Sequence, residues 1–295
     1  MLRPHSPKWA ELVESRRTAI SHGLTGIARD VDQFFGDERI EEEYQDLRVA
    51  LSTDISMESS EGMDGRARIS GTVPLPVLKD RVALVLGSDA DVETLDKGGG
   101  FTNEDRSFES GIRFLSGDGP WTYKMNLGAQ WSDGPVIYVR PGVRYEGHYH
   151  NDDYRVGQYL LWNNQDGFGE QTDFEYDRCL HPNLYLRSKS SALISEVSDG
   201  LEFSQAFILR YRSSNFWATS LEYGFKIESD PALAHERSSL AFRFRSIFLF
   251  PWLEQEIQPF VRFENSKDFR PSPGIVFKVK ILFEHPLHGR GLTVR

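Results

Sequence analysis

Basic side chains recur in this sequence at a spacing of two: Arg66 and Arg68, Arg210 and Arg212, Arg243 and Arg245, Lys278 and Lys280. On an extended strand, residues i and i+2 point to the same side, so each pair sets two cations next to each other on one face. Lys124, Arg140 and Arg144 add to them, and Glu146, Glu202, Glu222 and Glu228 fall on the same inferred face as carboxylates able to pair with them. Two chemistries are open to such a surface. The ions could pair across a small enclosed space and fill it. They could instead line a water-filled path that favours anions, as rings of Arg and Lys do in pores. With roughly twelve strands around the space, partial filling is the expectation.

Signals for other chemistry are thin. The densest polar cluster is His148-Tyr149-His150-Asn151-Asp152-Asp153. Two histidines at i and i+2 on a strand would face the same side, a placement that suits a metal ion or a serine–histidine site. No serine stands at a spacing that marks it as a nucleophile, which needs its base within hydrogen-bond reach, and a polar loop edge accounts for the same residues. Gly98-Gly99-Gly100 lacks the Lys-Ser/Thr of a phosphate loop. Cys179 is the one cysteine, so an intrachain disulfide and a Cys-rich zinc site are excluded, and an inert thiol is its simplest role. The net charge of −10 argues against a nucleic-acid partner. No catalytic residue, metal or cofactor is expected.

The elements that must position these charges follow from periodicity. Leu47, Val49, Leu51, Ile55 and Met57 alternate with Arg48, Ala50, Ser52, Asp54 and Ser56. The same period holds through Ala67, Ile69, Val73, Leu75 and Val77, and through Trp121, Tyr123, Met125, Leu127, Ala129 and Trp131. It returns in Trp217, Thr219, Leu221, Tyr223, Phe225 and Ile227, and in Ile275, Phe277, Val279, Ile281 and Phe283. A soluble sheet with one wet face would alternate too, but soluble strands average about five or six residues. These runs keep their period for about ten, the length that crosses a bilayer at a tilt. Hydrophobic residues make up 39% and aromatics 13%, a mixture that suits a barrel facing lipid outside and polar groups inside.

Turn signals stand at 60–65, 76–80, 116–120, 132–135, 151–153, 164–167, 198–200 and 213–215, and residues 88–106 form the longest break, an outer loop. They divide the chain into about twelve to fourteen strands. Polar residues dilute the period over 169–197. Aromatics gather at strand ends, Trp121, Trp131, Trp217 and Trp252 among them, where rings prefer the membrane–water interface.

Ahead of the strands, Ser6-Pro7 is a helix start. Val13, Ile20, Leu24, Ile27, Val31 and Phe34 then form an amphipathic stripe, and Gly36 stands where a C-cap glycine belongs. An acidic run, Asp37 to Glu43, follows; it is either a solvated linker or, through Glu41–Glu43 beside the first strand, a clasp that holds the helix against a basic part of the periplasmic mouth as a cap or plug. The start Met1-Leu2-Arg3-Pro4-His5 lacks the apolar core of a secretory signal, although an outer-membrane protein has to be exported.

The closing stretch Phe250 to Phe263, then Asp268-Phe269-Arg270-Pro271-Ser272-Pro273-Gly274-Ile275 and Phe277 to Phe283, resembles the last strands of uncharacterised proteobacterial outer-membrane barrels. Phe34-Phe35-Gly36-Asp37-Glu38-Arg39 is similar to the segment before their first strand. The resemblance implies a bacterial outer-membrane location, lipid as surroundings and the barrel-assembly machinery as a partner, with Phe283 as the terminal aromatic that this machinery reads. Glu284–Arg295 is a tail beyond that residue.

The expectation is therefore all-β: a transmembrane antiparallel up-and-down barrel over 44–284, with an N-terminal amphipathic helix in 1–43 and a C-terminal tail in 285–295. The charged faces are expected in the lumen of a narrow channel or a structural barrel. The alternatives are an outer-membrane lipid hydrolase or deacylase using His148 and His150, and a soluble β-rich binding protein. A periplasmic partner for the N-terminal helix is also open.

Overall fold

The computed structural model describes residues 47–74, 82–88, 108–131, 134–150, 152–197, 200–214, 216–229, 233–247 and 253–285. The expected N-terminal helix, Trp252 and the tail after His285 lie outside these residues. Within them the chain runs as β1 (Leu47–Glu58), β2 (Gly62–Pro74), β3 (Val82–Ser88), β4 (Phe108–Asp118), β5 (Trp121–Trp131), β6 (Pro135–Tyr149) and β7 (Asp152–Asn163). It continues as β8 (Gly167–His181), β9 (Leu184–Ser195), β10 (Leu201–Arg212), β11 (Trp217–Glu228), β12 (Ala234–Ser246), β13 (Leu253–Glu264) and β14 (Ser272–His285). Each strand pairs antiparallel with its sequence neighbours, and β14 pairs with β1 from Leu47↔His285 to Glu58↔Gly274, which closes the ring.

The alternating residues form these strands because the barrel puts each set in its own solvent. In β1, Ala50, Ser52, Asp54 and Glu58 are buried, while Leu51, Ile55 and Met57 are exposed. A soluble domain would bury the second set. The same inversion holds in β11, where Ala218, Ser220, Glu222 and Gly224 are buried and Leu221 and Tyr223 exposed. Eleven residues in β5 rise about 36 Å at about 3.3 Å each. Tilted by about 45°, that spans about 25 Å, the height of an outer-membrane apolar band.

Backbone packing fits this curvature. A Cβ on Gly128 would overlap the Tyr138 phenol, which also covers Gly111. Tyr159 likewise lies over Gly142 and Gly157. These rings replace missing side chains on the same or a neighbouring strand. Pro141 and Pro259 interrupt two ladders. Pairing of β6 with β7 breaks between Val139 and Gly142, and that of β12 with β13 between Phe260 and Ile257, because proline has no N–H to donate.

Strand boundaries match the alternation closely in β5 and β11. The first turn is tighter than its residues suggest, since β2 already begins at Gly62 (φ 87°). The longest connection joins β3 to β4, at the break expected over 88–106. The stretch 169–197, where the period is weakest, forms two regular strands of 15 and 12 residues, β8 and β9.

Candidate functional site

The buried face carries the charges. From β8 round through β14 to β2 they are packed against one another. Arg68 meets Asp54 at 2.8 Å. Glu256 accepts from Arg245 Nε at 2.8 Å and lies 3.3 Å from Arg243, which also reaches Glu222 at 3.3 Å and Gln258 at 3.2 Å. Ser220 donates to Glu222 at 2.8 Å. Lys226 gathers Glu202, Glu228 and Glu236 at 2.9–3.0 Å. Arg187 is fully buried and holds Asp177 with two parallel bonds, at 2.7 and 2.9 Å. Arg262 bonds Glu58 at 2.9 Å across the β13–β14–β1 junction. Charges this dry persist only when paired.

The sequence-selected residues divide by their surroundings. Arg68, Arg210, Glu222, Arg243 and Arg245 are buried in this packed wall. Lys278 stands opposite Asp54 on one side and Glu256 on the other, and Lys280 stands opposite Ser52 and Glu254. Arg212 donates to the Ser214 carbonyl, and Arg66 holds Asp64 at 2.6 Å in a partly exposed pair.

Lys124, Arg140 and Arg144 lie elsewhere, on the inward face of β5 and β6, and are partly exposed. Arg113 of β4 belongs with them: its Nε donates to Asn126 at 3.4 Å, and Asn126 stands opposite Arg140 in the next ladder. Lys124 stands opposite Gly142, over which the Tyr159 ring packs. Tyr138 packs under Arg140, 4.5 Å from its guanidinium carbon. Arg144 meets Glu146 at 2.9 Å. One wall is thus dense with ion pairs, and the wall of β4–β6 carries a cluster of cations.

Several interior charges escaped the sequence reading: Asp54, Arg113, Arg155, Glu175, Asp177, Arg187, Lys189, Glu254, Glu256 and Arg262. The signal was available for most of them. Glu175/Asp177, Arg187/Lys189 and Glu254/Glu256 are also i, i+2 pairs, and each shares its strand's buried parity. The two histidines do not share a strand face. His148 bonds Asp153 near the end of β6, whereas His150 sits in the following turn with φ 56°. Among the described residues no group of His, Cys, Asp and Glu could hold a metal ion.

Outside, Trp121 stands edge-on to Tyr145 at 4.9 Å, and Tyr145 lies 6.2 Å from Tyr154. Trp121 opens β5 and Trp131 closes it, while Trp217 opens β11, so exposed rings stand at both ends of the wall. In the turns, Lys267 bonds Glu61 at 3.0 Å and Glu264 at 2.8 Å. The bond from Lys267 holds the Glu61 carboxyl below its ordinary range, and the bonds to Glu264 and Glu61 raise the Lys267 ammonium above its own.

No protein-family model and no curated protein matches the chain. Among solved structures, a loop L8 deletion mutant of OmpT, an outer membrane protein of Vibrio cholerae, superposes with a TM-score of 0.52 at 9% identity, covering 81% of this chain and 98% of that one. A bacterial polysaccharide outer membrane secretin gives 0.50 at 10% identity, covering 81% and 99%. At such identities the likeness is one of fold: an all-β, fourteen-stranded antiparallel barrel of the bacterial outer-membrane type.

Proposed function

We propose that this barrel is a narrow outer-membrane channel, filled along one wall by ion pairs, whose remaining path along β4–β6 prefers anions. The supporting observation is the contrast between the two walls. Arg113, Lys124, Arg140 and Arg144 are partly exposed on one inward face, while Arg68, Arg187, Arg210, Glu222, Arg243, Arg245 and Glu256 of the other wall are buried. Glu146 lies on the same inward face, paired with Arg144 at 2.9 Å. A cationic strip in a confined, low-dielectric space raises the local anion concentration.

The test is single-channel recording of the purified, lipid-reconstituted protein in a potassium chloride gradient. The reversal potential should take the sign of chloride preference. Replacing Arg113, Lys124, Arg140 and Arg144 together by Gln should move it towards zero or past it. A native barrel that selects cations refutes the proposal. A native barrel that passes no current also refutes it and leaves the structural-barrel reading, which the dense ion-pair wall favours.

A further inference from the structure

The outward faces of this barrel are apolar on most strands: Leu51 and Ile55 in β1, Tyr123 and Met125 in β5, Leu221 and Tyr223 in β11, Phe277 and Val279 in β14. Strands β7 to β10 depart from that rule, near their middles except at Glu170, the fourth residue of β8. Gln158 accepts from the Thr172 hydroxyl at 2.7 Å and donates to Glu170 at 2.7 Å. Two strands further on, Gln205 donates to Ser188 at 2.9 Å and accepts from Ser190. All six alternate with the buried Arg155, Leu161, Asp177, Arg187, Leu193 and Ala206, so they point away from the lumen. Gln158 stands directly opposite Thr172, and Ser190 opposite Gln205. Ala192 lies between the two groups, opposite Thr172 on one side and Phe203 on the other.

We propose that the outer wall of β7–β10 is an interface with a second copy of this chain, centred on this polar stripe. Within one barrel these groups bond one another, but hydrocarbon offers nothing to their remaining N–H groups and lone pairs, so a second polar protein surface covers the stripe better than lipid does. Amides and hydroxyls both donate and accept, so two copies related by a two-fold axis can bond stripe to stripe. Gln158 has a further N–H beyond its bond to Glu170, and Glu170 and the Gln205 carbonyl have further lone pairs, so donors and acceptors face out from one surface. A copy in the same bilayer also carries its stripe at the same depth, which an unrelated partner would have to match. The inference stands on outer-membrane placement and not on ion selectivity.

The test uses the full chain folded into phosphatidylcholine vesicles, with heat-modifiable gel mobility as the check on folding. Cys179→Ser with Ala192→Cys should cross-link into dimers under mild oxidation. Cys179→Ser with Val279→Cys, outward on β14, should not. In sedimentation, Gln158→Leu/Thr172→Val/Gln205→Leu should loosen association about tenfold or more while leaving single-barrel conductance unchanged. Three results each overturn the proposal: a native chain that stays monomeric at every lipid dilution, equal cross-linking at both cysteines, or a triple variant that associates as tightly as the native chain. Altered selectivity in an otherwise dimeric barrel would bear on the channel reading alone.

Discussion

Removing the Asp177 carboxylate should show how dry the packed wall is. Arg187 and Asp177 meet through two bonds, at 2.7 and 2.9 Å, with side-chain exposures of 0% and 5%. Tyr185 donates to the same carboxylate at 3.3 Å. At an effective dielectric constant of about 20, two charges about 4 Å apart attract by about 4 kcal/mol. Asp177→Asn keeps the volume and removes the charge. Breaking one side of a buried pair costs about 3–5 kcal/mol, so the folded-to-unfolded ratio should fall by roughly two to four powers of ten. Arg187→Met/Asp177→Leu removes both charges and should return to within about 1–2 kcal/mol of native. The assay is urea unfolding in vesicles, followed by tryptophan fluorescence and gel mobility. A loss below about 1 kcal/mol for Asp177→Asn would match a hydrated pair and refute the view that this wall is filled.

Other perturbations test other parts of the molecule. Gly142→Ala should destabilise the barrel by about 1–3 kcal/mol through overlap with Tyr159, and Tyr159→Ala in the same chain should relieve most of that strain; an additive loss in the unfolding midpoints would contradict the packing account. Lys267→Met should raise the titration midpoint of Glu61 towards the ordinary glutamate value, read by carboxyl NMR. The sign follows from the lowered pKa: the Glu61 contact stabilises the turn above the unfolded-state pKa and is lost as pH falls through the folded value. A Glu61 midpoint that does not move would show that Lys267 is not its controlling partner. Variants that keep Trp121, Trp131 or Trp217 alone should be quenched by lipids brominated near the headgroup more strongly than by lipids brominated at the chain ends; the reverse order would remove the interfacial assignment.

Much of the wall was legible in the sequence because apolar and polar residues alternate for whole strands. Trp121–Trp131 and Trp217–Glu228 carry large apolar residues on one parity and small or charged ones on the other, so length and facing follow together. β8 and β9 were harder because their lipid-side positions hold Glu170, Thr172, Arg178, Ser188 and Ser190. Polar residues on both faces erase the period. The feature that blurred the strands is therefore the one that marks a surface unlike the rest of the barrel. Ion-pair partners were not legible, since they depend on register across closed ladders. Glu58 and Arg262 are 204 residues apart and meet only because β1 pairs with β14, which pairs with β13.

The net charge of −10 would by itself suggest a lumen that attracts cations, and the placement of the charges argues against that inference. Selectivity answers to the local potential along the path and not to the sum over the chain. Acidic residues are frequent in 37–43 and 89–105, outside the described strands. Inside them, Asp54, Asp177, Glu222 and Glu256 are buried against arginines and present no carboxylate to passing water. Arg113, Lys124 and Arg140 keep partial exposure on the other wall. On the proposed channel reading an ion passing along β4–β6 meets these cations, and swapping buried acids for neutral residues should alter stability far more than the reversal potential.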